Sequence, residues 1–213
     1  MKVFRTETLE DEAYGEIVSL LRSGGVIAFP TDTAYGLGAD PFNGNAIDRI
    51  FQIKGRSDTK AILLVVSSIE MAESVAEPAE VFYDLAKLFW PGPLTMILPA
   101  KKSVPLKLTA GTGTVGVRWP VADFATRLVN DLGTPLTATS ANRSGLPAAV
   151  TAEEVRSQLG ESVDALIDGG ELPSRGGSTV LDLTTDVPML LREGPVRFEA
   201  LERFFGGRLR RQA

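Results

Sequence analysis

The chain has 213 residues, of which 44% are hydrophobic and 23% are charged, so it can bury a sizeable core as a globular protein. Its formal net charge of −5 argues against nucleic-acid binding by bulk positive charge. The absence of His and Cys excludes disulfides, thiolate catalysis, a Ser-His-Asp triad and zinc sites that need either residue.

The amino-terminal segment, Met1–Tyr14, is polar and carries several acids, which is not typical of a signal peptide. The longest apolar segments, such as residues 61–66, are too short to cross a bilayer. We therefore expect a cytoplasmic protein without a membrane partner.

Apolar segments of strand length alternate with segments of helical periodicity in the first half of the chain. Helices are predicted over Asp11–Ser23, from about Asn45 to Lys54, and from Pro78 to Phe89, where Pro78 suits the first helical position. Strands are predicted over Val26–Phe29, Ala61–Val66 and Leu94–Leu98. The segment Pro30–Gly38 is polar and glycine-spaced, which indicates a loop.

The second half continues the alternation and ends in a basic tail. Strands are predicted over Val115–Arg118, Pro135–Thr139, Asp164–Ile167, Ser178–Leu183 and Met189–Arg192. Helices are predicted over Asp123–Asp131, Ala152–Leu159 and Phe198–Phe205, and Arg208–Arg211 is predicted to be a frayed end.

No internal repeat, linker or break in composition divides the chain, so we expect one α/β domain over residues 1–213. Several strands near the carboxyl end follow one another without a helix between them. This pattern predicts a mixed parallel and antiparallel sheet rather than a purely parallel one.

Polar residues end several of the predicted strands, namely at residues 31–33, at Arg118, at residues 139–142 and at Arg192. One interpretation is that these ends are solvated and therefore polar. The other is that they converge on a crevice, because ligands of open α/β sheets bind beyond strand ends. We favour a ligand role for Arg118 and Arg192, since an unpaired Arg is rarely buried and its donors suit phosphate or carboxylate.

The cluster Lys54-Gly55-Arg56 allows two interpretations. The cations could cap a helix carboxyl terminus, where the dipole favours positive charge. In an extended stretch, Lys54 and Arg56 would instead lie on one side and could grip a polyphosphate, with Lys60 adding a third charge. Spacing alone leaves both open.

Common nucleotide signatures are absent or misplaced. A Gly-x-Gly-x-x-Gly pattern occurs at Gly111, Gly113 and Gly116, but it precedes a strand instead of joining a strand to a helix, so we interpret it as a chance match.

The acids give no clear metal site. Asp32, Asp40 and Asp182 could bind Mg²⁺, or they could be turn and capping residues. No pair of carboxylates stands out as a general acid and base.

Several segments together resemble the YrdC-type threonylcarbamoyl-AMP synthases. Residues 30–38 resemble the signature Pro-Thr-Glu-Thr-x-Tyr-Gly-Leu, residues 54–56 match Lys-x-Arg, and residues 140–142 match Ser-x-Asn. Residues 90–95 resemble the segment Trp-Pro-Gly-Pro-Leu-Thr, and residues 116–118, 178–180 and 191–194 resemble later blocks. The motifs occur in order over about 24–194, which makes the set more specific than any one of them.

The resemblance implies a twisted mixed sheet flanked by helices around a large concave cleft. It also implies a nucleotidyltransferase that forms threonylcarbamoyl-AMP and pyrophosphate from L-threonine, bicarbonate or CO₂, and ATP with Mg²⁺. In the family, the product is passed to a tRNA-modifying complex that makes threonylcarbamoyladenosine.

The resemblance also assigns residues to the two substrates. Threonine would be held by Thr33, Tyr35, Arg118, Ala138 and Ser178. ATP would be held by Lys54, Arg56, Lys60, Thr114, Ser140, Asn142 and Arg192. Lys54 and Arg56 would take the catalytic role, and the resemblance assigns no protein ligand to the metal.

The chain departs from the family pattern at two positions. Asp32 replaces the signature Glu, and Val65 occupies the place where some members carry a threonine-binding His. We expect the short form of the family, without the additional carboxyl-terminal domain, and the intact Lys-x-Arg and Ser-x-Asn motifs indicate the active branch.

Two other functions are compatible with such a fold. One is an RNA-binding module without adenylate-forming activity, which could use the clustered cations for a weak tRNA contact. The other is carbamoyl transfer in hydrogenase maturation, but that context brings Cys-rich zinc modules and this chain has no Cys.

Overall fold

The computed structural model describes residues 1–55, 60–173 and 176–212. Within these ranges the α-helices are α1 (Asp11–Arg22), α2 (Gly44–Lys54), α3 (Ile69–Val75), α4 (Glu80–Phe89), α5 (Asp123–Leu132), α6 (Ala152–Leu159) and α7 (Phe198–Phe204). The strands are β1 (Lys2–Arg5), β2 (Ile27–Phe29), β3 (Gly36–Gly38), β4 (Leu64–Val65), β5 (Leu94–Pro99), β6 (Thr114–Arg118), β7 (Leu136–Thr137), β8 (Thr139–Ser140), β9 (Ala165–Asp168), β10 (Thr179–Asp182), β11 (Met189–Arg192) and β12 (Arg210–Arg211).

The strands form two mixed sheets, which confirms the predicted mixed α/β fold but divides its strands between two sheets. The five-stranded sheet has the order β1-β9-β2-β3-β8, and the seven-stranded sheet has the order β12-β11-β10-β5-β6-β4-β7. In the larger sheet, β5 pairs parallel with β10 and antiparallel with β6. The chain passes from the larger sheet to the smaller one between β7 and β8, which places Ala138 at their junction.

The helices pack on the sheets through apolar stripes that the sequence already shows. On α1, Ile17 and Leu21 are fully buried, and on α5 Leu128 and Val129 are fully buried in the same cluster, together with Phe29 of β2. Full burial of a side chain of this size contributes about 1.5–3 kcal/mol. This cluster fixes the ends of β2, from which the chain enters residues 30–35.

The boundaries of α2 follow from its capping residues. The side chain of Asn43 accepts a hydrogen bond from the amide of Ala46 at 3.2 Å, which satisfies a free donor of the first turn. At the other end Gly55 takes a left-handed conformation with φ of 59°, which glycine adopts without strain. Lys54 is therefore the last helical residue, and its backbone is not extended as the polyphosphate hypothesis assumed.

Most predicted helices and strands are confirmed within one to three residues, but the predicted loop 30–38 is wrong in part, because residues 36–38 form β3. A Cβ on Gly38 would lie 2.9 Å from side-chain atoms of both Leu136 and Phe29. The glycines of β3 therefore allow a close approach that a strand of larger residues would prevent.

Other boundaries also differ from the sequence prediction. The predicted strand Ala61–Val66 is reduced to the two residues of β4, and α4 begins at Glu80 rather than at Pro78. The segment 135–139 divides into β7 and β8. The peptide bond between Trp90 and Pro91, which follows α4, is cis.

Both chain ends take part in the sheets, so the prediction of a frayed basic tail is wrong. β12 pairs parallel with β11, and Arg211 donates a hydrogen bond to Glu193 at 2.8 Å. The strand β1 and the helix α3 were not predicted. No helix in the described ranges combines the length and apolar character that crossing a bilayer requires.

Candidate active site

A cavity of about 350 Å³ opens between the two sheets, where the predicted strand ends meet. Thr31 and Thr33 follow β2, Arg118 ends β6, Ser140 ends β8, and Arg192 ends β11. The prediction that these ends converge on one crevice is confirmed. The solvated-end interpretation is wrong for Thr33 and Arg118, which are only 3% and 5% exposed.

Arg118 is held from three directions by the protein. Its Nε donates to the carbonyl oxygen of Gly92 at 3.1 Å, its Nη1 donates to Oγ1 of Thr33 at 3.0 Å, and its Nη2 pairs with the Asp32 carboxylate. Burial lowers the pKa of the Arg118 guanidinium, and Asp32 acts in the opposite direction. Because Arg118 lines the cavity and Asp32 is not among its lining residues, the carboxylate anchors the guanidinium from behind.

Arg192 supplies a second guanidinium to the cavity. Its Nε donates to the carbonyl oxygen of Ser178 at 2.9 Å, and its Nη2 donates to Oγ of Ser178 at 3.3 Å. Burial lowers the pKa of Arg192, and the positive charge of Arg118 lowers it further. Two cations at one cavity, Arg118 buried and Arg192 exposed at the end of its strand, favour an anionic ligand.

Gly177 lets the backbone approach this guanidinium. It has a φ of +69°, and a Cβ at this position would lie 3.1 Å from Nη2 of Arg192. A larger residue would therefore strain the backbone and displace the cation.

Lys54 supports the wall of the cavity instead of lining it. Its side chain is buried, and Nζ donates to the carbonyl oxygens of Ser140 and Asn142 at 2.5 and 3.0 Å and to Oδ1 of Asn142 at 3.2 Å. Nδ2 of Asn142 in turn donates to the carbonyl oxygen of Leu146 at 2.6 Å. Lys54 thus contacts the Ser-x-Asn motif, while Arg56 lies outside the described residues.

Four further predicted residues line the cavity, namely Tyr35, Lys60, Ala138 and Ser178. The Tyr35 hydroxyl donates to the carbonyl oxygen of Gly170 at 2.8 Å and accepts from the amide of Gly169 at 3.0 Å. Burial raises the pKa of Tyr35 to about 12, so the hydroxyl stays neutral near physiological pH. Tyr35 therefore fixes the loop after β9 in addition to lining the cavity.

Thr114 is placed differently from the prediction. It begins β6, two residues before Gly116, and is not among the residues that line the cavity. Its hydroxyl lies 2.9 Å from the hydroxyl of Thr112.

The acids that could have held a metal have other partners. Asp32 pairs with Arg118, Asp40 accepts from the amide of Phe42 at 2.9 Å, and Asp182 accepts from the amide of Thr184 at 2.8 Å. In the described part of the chain, no three acidic residues lie close enough together to hold a metal ion. Asp32, Asp40 and Asp182 therefore bind protein groups in the structure, as an ion-pair partner or as turn residues.

Sequence reasoning missed two features of the cavity. Thr95 of β5 lines it, and its hydroxyl lies 2.7 Å from Oγ of Ser178. Asp32 was considered as a metal ligand or turn residue, not as the partner of Arg118. Thr95 and Ser178 are 83 positions apart in the sequence, and Asp32 and Arg118 are 86 positions apart, so no local sequence pattern predicts either contact. The apolar floor includes Leu63 and Val65, so the position that carries His in some family members does face the cavity.

Comparison with known proteins identifies similar chains. The family model Sua5_yciO_yrdC, described as "Telomere recombination", matches residues 19–194. The threonylcarbamoyl-AMP synthase of Pyrococcus abyssi is 39% identical over 204 residues, which cover 94% of this chain and 59% of that protein. The threonylcarbamoyl-AMP synthase of Bacillus subtilis is 38% identical over 198 residues, which cover 92% of this chain and 57% of that protein.

Solved structures agree with these matches. The crystal structure of P. abyssi Sua5 complexed with L-threonine superposes with a TM-score of 0.91 and 39% identity, covering 99% of this chain and 62% of that one. The chain thus spans less than two thirds of the length of these relatives.

Proposed function

Because the chain belongs to the Sua5/YciO/YrdC family, we propose that it is an L-threonylcarbamoyladenylate synthase. It joins L-threonine, bicarbonate or CO₂, and ATP to form threonylcarbamoyl-AMP and pyrophosphate. The observation that carries this proposal is the meeting of Arg118, Arg192, Thr33 and Ser178 in one cavity beside the loop 140–142.

The threonine half of the cavity is the wall around Arg118. Its guanidinium still has N–H groups beyond those bound to Gly92, Thr33 and Asp32, and it can offer them to a carboxylate. The hydroxyls of Thr33 and Ser178 and the backbone at Ala138 provide neutral polar partners for the rest of the amino acid. The P. abyssi relative that was crystallised with L-threonine supports this choice of substrate.

The ATP half is the wall formed by Arg192, Lys60 and the loop that begins at Ser140. Arg192 is a fixed donor for phosphate oxygens, because two of its nitrogens are already held by Ser178. Lys54 keeps the loop in place from behind, and Arg56 would add a charge at the family's second cationic position. A cavity of about 350 Å³ takes part of a nucleotide, and the remainder extends toward its open side.

The reaction needs no protein nucleophile. Bicarbonate takes up a proton and loses water to give CO₂, and the neutral threonine amine attacks CO₂ to form a carbamate, with the amine proton passing to water. A carbamate oxygen then attacks the α-phosphorus of ATP, and the bond to the β-phosphate oxygen breaks as pyrophosphate leaves. Two anions must approach each other, so the protein contributes by orientation and by neutralising charge. A cavity with two guanidiniums can meet these needs, which explains why the reaction requires neither His nor Cys in this chain.

Mg²⁺ enters with ATP in this proposal, held by its phosphates and water, which is the usual way such ions bind. It supplies charge neutralisation on the triphosphate.

The product is passed to a tRNA-modifying complex, as in the family, and the site of tRNA modification makes the proposed location cytoplasmic. The net charge of −5 favours a small-molecule enzyme over an RNA-binding module.

Pyrophosphate release by the purified chain tests the proposal. We expect release only when L-threonine, bicarbonate and ATP are all present, and a strong loss in Arg192→Met. Arg197→Met is the matched control, because that side chain is 73% exposed and pairs only with Glu193 at 3.7 Å among the described residues. Release that ignores threonine, or that serine supports equally well, would contradict the amino-acid assignment.

A further inference from the structure

Two buried hydroxyl groups form a pair in the wall of the cavity. Thr95 of β5 is 1% exposed and Ser178, just before β10, is 2% exposed. Their oxygens lie 2.7 Å apart, and Ser178 is the one hydrogen-bond partner of the Thr95 hydroxyl within the described ranges. Both residues line the cavity.

The side chain of Thr95 has a fixed orientation. Its hydroxyl points to Ser178, on the side of β10, while its methyl group points to β6. A Cβ built on Gly116 of β6 would lie 3.4 Å from Cγ2 of Thr95, so that methyl group lies beside Gly116. The hydroxyl and the methyl group of Thr95 therefore contact different strands and can be removed separately.

The Thr95 hydroxyl has no other protein acceptor in the described ranges, so its proton is directed to Ser178, and Arg192 limits what else Ser178 can accept. A guanidinium can only donate, so the contact of Nη2 with Oγ of Ser178 occupies one lone pair of Ser178. When Thr95 donates to Ser178, the second lone pair is occupied too. The hydroxyl proton of Ser178 then has no acceptor in Thr95 or Arg192, and it is available to donate to a ligand in the cavity.

The charges of the cavity favour this arrangement. Arg118 and Arg192 attract a ligand with anionic oxygens, which accept hydrogen bonds. A relay from Thr95 to Ser178 to a ligand oxygen aligns successive donors, and each bond polarises the next. We propose that Thr95 is a positioning residue that fixes the hydroxyl of Ser178 as a donor to the threonine substrate. This inference rests on the proposed function and assigns to that site a residue outside its predicted set.

The test uses two substitutions, one that removes the hydroxyl of Thr95 and one that removes its methyl group. Thr95→Val keeps the methyl group and removes the hydroxyl, whereas Thr95→Ser keeps the hydroxyl and removes the methyl group. We expect Thr95→Val to raise the KM for threonine about three- to tenfold, the equivalent of one neutral hydrogen bond, with the KM for ATP unchanged. Thr95→Ser should remain within about twofold of the wild type.

A double-mutant cycle with Ser178→Ala separates positioning from other roles. If Thr95 acts through Ser178, adding Thr95→Val to Ser178→Ala leaves the KM for threonine unchanged within about twofold. If the effects of the two substitutions multiply, Thr95 contacts the ligand itself or acts by packing, and the inference is wrong. Threonine affinity measured by calorimetry on the same four proteins provides a readout besides turnover.

The outcomes also separate this inference from the proposed function. A wild type that releases pyrophosphate with threonine but is unaffected by Thr95→Val would overturn the inference alone. A wild type that neither binds threonine nor releases pyrophosphate would overturn the proposed function, and this inference with it.

Discussion

The pair of Arg118 and Asp32 gives the most informative stability prediction. Arg118→Met keeps much of the side-chain volume but removes the guanidinium and its bonds to Asp32, Thr33 and Gly92. The Asp32 side chain, which is 15% exposed, then keeps its charge without the cation. Breaking such a buried pair costs about 3–5 kcal/mol in the free energy of unfolding. Because the cavity admits water, we expect the lower end, about 3 kcal/mol.

Adding Asp32→Asn to Arg118→Met should restore part of this loss. Asn is neutral and similar in size, so the double variant no longer buries an unpaired charge. We expect it to be about 1–2 kcal/mol more stable than Arg118→Met alone, since an unpaired charged group is the expensive part of a broken pair. Asp32→Asn by itself should destabilise the protein, because the Arg118 charge loses its partner.

Urea unfolding followed by tryptophan fluorescence measures these differences through the midpoint and the slope. Arg197→Met, at the exposed pair with Glu193, is the control and should leave the midpoint unchanged. A cost below about 1 kcal/mol for Arg118→Met would refute the reasoning. So would a double variant less stable than the single one, because it would mean that Asp32 does not depend on Arg118.

Three further changes test other contacts of the site and the fold. Lys54→Met should lower the free energy of unfolding by about 2–4 kcal/mol and raise the KM for ATP, because the loop that Lys54 holds loses its buried donor. A raised KM for ATP without a loss of stability would contradict this supporting role. Tyr35→Phe should cost about 1–3 kcal/mol by thermal or urea unfolding, since a buried amide and a carbonyl lose their partner, and a neutral result would count against it. Arg49→Met should flatten the acid limb of the stability profile measured between neutral pH and pH about 3. Burial acts to raise the pKa of Asp164, but hydrogen bonds from Arg49 and the amide of Val26 outweigh it and hold that pKa below its ordinary value. If Arg49→Met leaves the acid side of the stability profile unchanged, Arg49 does not lower the pKa of Asp164.

The sign of the last effect follows from the direction of the shift. Asp164 has a lower pKa in the folded state than in the unfolded state, so its contribution to stability is fully present above its ordinary value of about 4. The contribution is lost as pH falls through the lower, folded pKa. Without Arg49 the two values move together and that part of the acid sensitivity disappears.

The strand ends of the site could be predicted because they depend on local sequence. Arg118 and Arg192 are cations within apolar segments, and such a contrast is visible without a structure. The cap at Gly55 was likewise predictable, since a glycine after a periodic segment commonly ends a helix.

The supporting contacts could not be predicted because they join distant parts of the chain. Nothing near Asp32 indicates Arg118, and nothing near Thr95 indicates Ser178. The strands β1 and β12 were missed for a related reason. Their residues are mostly exposed and polar, so they lack a buried pattern and are defined by pairing with β9 and β11.

The roles of the site residues were predicted from the resemblance to the family, and the structure gives Lys54 a supporting contact that this resemblance did not predict. Lys54 was expected to grip phosphate, yet its amino group lies on the carbonyl oxygens of Ser140 and Asn142. Lys54 and the Ser-x-Asn motif are therefore in contact, with the lysine supporting the loop.

A crystal structure with L-threonine and a non-hydrolysable ATP analogue tests the central claim most directly. The account predicts the threonine carboxylate against Arg118 and the triphosphate against Arg192, with both ligands in the same cavity and the amine directed toward the α-phosphate. Ligands bound on separate surfaces, or a triphosphate remote from Arg192 and the loop 140–142, would contradict it.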